Sequence, residues 1–160
     1  MGGLFGLLVA YVTWKLALQR EKSKYKRELQ AEDYSQKENF YVGCLATINK
    51  IILQVKNERD DLAFVNETSL LSAQASILSD EQFKKNLDIV FRKIDEWSYN
   101  YKRGLPKKFG ETGLVTVSTA DQPYIDKAEK LYLELMSQIR ELSSVMRDSL
   151  KELKTKQEVN

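Results

Sequence analysis

Apolar residues recur at helical spacing through most of this chain, and the breaks in that rhythm divide it into segments. The opening stretch is the exception, because there the apolar positions form a nearly continuous block. From Leu4 to Leu18 only Thr13 and Lys15 are polar. The block gives way to Gln19–Gln36, a charged run whose large apolar residues are Tyr25, Leu29 and Tyr34, which reads as a solvated helical stalk. From Tyr41 a stripe sharpens. Tyr41, Leu45, Ile48, Ile52 and Val55, widened by Cys44 and Ile51, predict an amphipathic helix of about five turns.

Asn66 or Thr68 is placed to cap a short helix holding Leu70, Leu71, Ala75 and Leu78. Ser79-Asp80-Glu81-Gln82 then fits the capping-box pattern, so a long helix is expected from that serine. Its apolar row is the most regular in the chain: Phe83, Leu87, Val90, Ile94, Trp97 and Tyr101. Arg103-Gly104-Leu105-Pro106 should end it, with glycine in a left-handed turn and proline preventing continuation. Residues 105–120 carry no helical pattern and form an irregular loop, with a β-prone run at Leu114–Val117. From Asp121 a final helix is predicted, tolerating Pro123 in its first turn. Its apolar face runs through Tyr124, Ala128, Leu131, Leu135, Ile139, Leu142, Val145, Met146 and Leu153, with Leu133 and Met136 off that face.

These segments predict an all-α chain: a single transmembrane helix continuing into a stalk, then an antiparallel bundle of three long helices plus a short one. The expected boundaries are 1–19 for the anchor, 20–36 for the stalk and 37–157 for the bundle. Counted from Gly2, the apolar block reaches the lower length limit for crossing a bilayer. Leu4, Phe5, Leu7, Leu8, Val9, Tyr11, Val12 and Trp14 are its membrane-facing candidates, and Lys15 lies near enough to the end to snorkel. A secretion signal fits less well, because the basic residues follow the block instead of preceding it. By the positive-inside rule the bundle is expected to be cytoplasmic, which leaves the Asn66-Glu67-Thr68 sequon unused. Gly2, Gly6 and Ala10 form a small-residue row that permits close packing of two copies in the membrane.

Charge reinforces this division. The net charge is only +2, but residues 1–27 carry six Lys or Arg against one Glu, so the remainder is mildly acidic. That balance, without basic residues and aromatics interleaved over the folded part, argues against nucleic acid as a partner. The chain has no histidine and one cysteine, which removes the common zinc, haem and acid–base constellations and any intrachain disulfide. Cys44 falls on the buried stripe and reads as a small core residue. Glu58, Asp60 and Asp61 lack the spacing of a calcium loop and read as a solvated helix end. No phosphate-binding glycine motif is present, and no cofactor is expected. Lys102, Arg103, Lys107 and Lys108 form a basic cluster suited to anionic lipid or an acidic partner.

Three functional classes follow. The leading expectation is a non-catalytic, membrane-tethered interaction or scaffold protein, holding other proteins or its own copies as a homo-oligomer. The alternative is a membrane-perturbing effector or small pore subunit that assembles through its N-terminal helix. An enzyme working through Glu58, Asp60, Asp61 and a metal ranks last.

Overall fold

The computed structural model describes residues 2–57, 61–109, 114–116 and 118–158, with side chains described for 11–57, 66–106 and 118–155. The elements are α1 (Gly2–Lys56), α2 (Asp61–Leu78), α3 (Glu81–Gly104), β1 (Lys107–Phe109), β2 (Leu114–Thr116) and α4 (Gln122–Glu158). Among the described residues four helices form a helical bundle, with a small hairpin inserted between α3 and α4. The expected anchor, stalk and first bundle helix are one continuous helix of 55 residues. No proline interrupts it, and Lys, Glu, Gln, Leu and Ala, all good helix formers, dominate its length.

The chain divides into two compact units, residues 1–38 with 150–160, and residues 39–149. In the first, most side chains from Tyr11 to Glu38 are exposed, Tyr25 and Leu29 among them, while Leu150 and Leu153 of α4 are half-buried. Among the described residues, no helix is long and apolar enough to cross a membrane. The expected transmembrane helix is therefore unsupported there. Between Tyr11 and Leu18 the apolar run is short and interrupted by Thr13 and Lys15, and Gln19-Arg20-Glu21-Lys22 follows at once. Tyr11, Val12 and Trp14 are exposed. The side chains of Leu4, Phe5, Leu7, Leu8 and Val9, and of Gly2, Gly6 and Ala10, lie outside those described.

The second unit contains the core. Phe40, Tyr41, Cys44, Ile48, Ile51, Ile52 and Val55 from α1 meet Leu71 and Ala75 from α2, Phe83 to Trp97 along the predicted row of α3, and Ala128, Leu131, Leu135, Leu142 and Met146 from α4, all buried. Contacts fix the directions. Lys93–Glu134, Trp97–Tyr132 and Arg103–Tyr124 advance along α3 while retreating along α4, so these helices are antiparallel. On α1, Tyr41 interacts with Ser149 and Lys56 with Tyr132, which makes α1 antiparallel to α4 as well.

Four local expectations need correction. α2 is an 18-residue helix, longer than predicted, with Asn66 and Thr68 inside it and not at its start. Leu70 and Leu78 are exposed, so only Leu71 and Ala75 of the expected four serve the core. α3 is capped by Asp80, whose Oδ1 accepts from the Phe83 amide at 2.8 Å. Ser79 lies one position too early: the Phe83 amide is taken by the Asp80 carboxylate, and the Ser79 hydroxyl donates back to the Ala75 carbonyl at the end of α2. Gly104 is the last residue of α3 and not a left-handed cap; Leu105 follows with extended geometry, φ −62° and ψ 140°. Finally, residues 105–120 are not wholly irregular. Antiparallel pairing of Lys107 with Thr116, Lys108 with Val115 and Phe109 with Leu114 uses the β-prone run that the sequence displays.

Candidate functional site: a cleft beneath the overhang of α3 and α4

At one end of the second unit the helices differ in length. α1 stops at Lys56, level with Tyr132 of α4, but α3 continues past Trp97 to Gly104, about 10 Å further at the rise of a helix. Among the described residues that line the space between the overhanging parts of α3 and α4, α1 supplies only Lys56 and α2 none. These parts can approach closely because Gly104 lacks a side chain: a Cβ there would lie 2.8 Å from Ile125 Cγ1 and 3.2 Å from the Ile125 amide nitrogen. Ala128, one turn further along α4, is also small. Beneath this junction a cleft of about 330 Å³ opens to solvent, at the small end of the range for ligand sites.

Its lining is mostly apolar. α3 supplies Trp97, Tyr101 and Gly104; the following turn supplies Leu105 and Pro106; α4 supplies Ile125, Ala128, Glu129 and Tyr132; α1 contributes only Lys56. Trp97 stacks at a tilt between Tyr101 and Tyr132, with centroids 5.3 and 5.5 Å away, so three rings form a rigid floor. Lys56 Nζ donates to Tyr132 Oη at 3.1 Å and sits 4.4 Å from that ring's centroid, a cation–π contact. Among the described residues no carboxylate pairs with Lys56. One positive and one negative group, Lys56 and Glu129, thus meet an otherwise oily concavity.

The predicted basic cluster falls next to this cleft in the chain. Arg103 donates to Tyr124 Oη at 2.9 Å and packs over the rings of Tyr99 and Tyr124. The bond to Tyr124 raises its pKa further above the ordinary guanidinium range. Lys102 is half-buried on the last turn of α3, and Lys107 and Lys108 belong to β1, their side chains lying outside those described. A neighbouring bridge, Lys93 to Glu134 at 2.7 Å, ties α3 to α4; the shared hydrogen bond raises the lysine pKa and lowers that of the glutamate.

Cys44 lies in the core of the second unit. It is fully buried, and desolvation pushes its thiol up to about 12, so it stays protonated and poorly nucleophilic at neutral pH. Of the acidic triplet, Glu58 and Asp60 lie outside the described residues, and Asp61 begins α2. Among the described residues, no three Cys, Asp or Glu side chains gather in a way that could hold a metal ion.

Sequence periodicity identified Trp97 and Tyr101 as core but missed that they floor a cleft. It assigned no role to Lys56, Glu129 or Tyr132. The available signal was a mismatch of lengths, since the α3 stripe runs beyond anything the first bundle helix can cover. Comparison with protein-family models, with curated proteins and with solved structures finds no match for this chain.

Proposed function

We propose that the chain is a non-catalytic interaction module, tethered to a membrane by its apolar N-terminal block, whose bundle engages another protein at the cleft. The observation that carries this reading is the cleft itself: a solvent-open, aromatic-floored concavity with two charged groups, the form of a site that receives an apolar group and orients it. The tether rests on sequence. The block from Leu4 to Leu18 reaches the minimum spanning length when counted from Gly2, and the basic residues after it support a cytoplasmic bundle by the positive-inside rule.

Site-specific photocrosslinking in native membranes tests the docking claim. Benzoylphenylalanine in place of Glu129, at the cleft, should give a discrete protein adduct, whereas the same group in place of the exposed Asp88 of α3 should not. Equal labelling from both positions, or none from Glu129, would contradict a specific docking site there.

A further inference from the structure

We infer that the stalk of α1 is a lipid-selecting collar, in which Lys15, Arg20, Lys22, Lys24 and Arg27 gather anionic phospholipid headgroups around the helix where it leaves the bilayer. This rests on the reading of the N-terminal block as a tether and adds which lipids the tether selects. Charge is unevenly placed along the chain. Residues 1–20 contain no acid, and between Lys15 and Arg27 only Glu21 opposes the cations. Past Arg27 the sign changes, with Glu28, Glu32 and Asp33 preceding the next lysine. Cations are thus confined to a band between an apolar stretch and an acidic one. Its densest part, Arg20 to Arg27, rises about 10 Å along the axis, comparable with the polar layer on one face of a bilayer. The α4 part of the same compact unit, residues 150–160, holds three Lys and two Glu and does not offset the band.

Placement around the helix selects a lipid surface over a single docked partner. α1 runs unbroken through this band, so spacing along the sequence fixes direction around the axis. At about 100° per residue, Lys15 and Lys22 share one side, while Arg20, Lys24 and Arg27 share the opposite one. All five are exposed; Lys26, which has an interaction of its own, stands on the first side. Among the described residues one of the five has a carboxylate in ion-pair range: Lys24 lies 3.8 Å from Glu28, and both side chains are open to solvent. Such a pair is weak and leaves the ammonium available to competing anions. A docked protein covers one side of a helix, and a helix lying flat on a surface also uses one side. Cations facing opposite sides at one level are met together by a layer that encircles an upright helix. Headgroups around an inserted segment form such a layer. Tyr11 and Trp14, exposed and with ring centroids 6.3 Å apart just before the first lysine, are of the types that settle at its inner edge.

Electron spin resonance on the full chain in phosphatidylcholine bilayers tests the inference, with trace spin-labelled phosphatidylserine or spin-labelled phosphatidylcholine as the probe. Association of the probe with the protein should be about three-fold or more stronger for phosphatidylserine at low salt, with that excess shrinking as salt rises. Lys15→Gln with Lys22→Gln, or Arg20→Gln with Lys24→Gln and Arg27→Gln, should each remove part of the excess, and all five together should remove it. Lys127→Gln with Lys130→Gln, exposed on α4 and outside this unit, should leave it unchanged. An excess lost in that control instead would assign it to the bundle and overturn the collar. Loss of the whole excess on changing one side alone would replace the encircling collar by a one-sided surface. Equal association of both probes with the unaltered chain would overturn lipid selection while leaving the tether intact. Failure of the chain to float with phosphatidylcholine vesicles, joined to binding of phosphatidylserine vesicles that about 1 M salt abolishes, would overturn the tether and the collar together.

Discussion

Two glycines in helices of this chain should respond to alanine in opposite directions, and the difference tests how closely α3 and α4 approach. At Gly43, mid-helix in α1 and exposed, nothing lies within 4 Å of an added Cβ. Alanine there restricts the unfolded chain without a clash, so Gly43→Ala should stabilise by about 0.5–1 kcal/mol. At Gly104 an added Cβ would meet Ile125 Cγ1 at 2.8 Å, its amide nitrogen at 3.2 Å and its Cα at 3.4 Å. A β-branched side chain rooted on the same residue cannot swing aside, and the backbone atoms can retreat only by separating the helices. Overpacking of this kind costs about 1–3 kcal/mol. The propensity gain at Gly104 is small because it is the last helical residue, so Gly104→Ala should be net destabilising. Urea unfolding followed by far-UV circular dichroism measures both, with a shift in midpoint at constant slope as the sign of a pure stability change. Stabilisation by Gly104→Ala equal to that by Gly43→Ala would refute the close approach and, with it, the roof of the cleft.

Three further outcomes follow from particular contacts. Trp97 is 1% exposed and touches two rings, so Trp97→Ala should cost about 3–5 kcal/mol in the same assay, and a loss below about 1 kcal/mol would show that the floor is not packed. Asp80→Ala should cost about 1 kcal/mol through loss of the α3 cap, and more than Ser79→Ala; the reverse order would restore Ser79 as the cap. Cys44 should resist iodoacetamide at neutral pH until the chain unfolds. Because its thiol is raised in the folded state to about 12, its protonation supports folding below the ordinary thiol range, and that support fades as pH climbs from there through about 12. Alkylation of the native chain at the rate of a free thiol would contradict the burial.

The bundle was legible because its helices announce themselves by spacing: the α3 row from Phe83 to Trp97 is buried position for position. The errors fall where two local solutions compete. Ser79 and Asp80 are both good caps, and α3 takes the aspartate, the serine hydroxyl bonding within the last turn of the preceding helix. Gly104 matched the pattern of a left-handed terminus, but what it answers is the proximity of Ile125, a residue whose position no local pattern reveals. The cleft was illegible for the same reason. It arises from α1 ending at Lys56 while α3 and α4 run on, a relation between lengths of elements distant in sequence, and from Tyr132 lying on a face of α4 that the apolar stripe ignores.

The proposal that this bundle is held at a membrane by its opening residues is most directly tested by alkaline carbonate extraction of membranes containing either the full chain or one starting at Lys22. The full chain should stay in the membrane pellet and the shortened one should be released as a helical protein. Complete release of the full chain would contradict the tether.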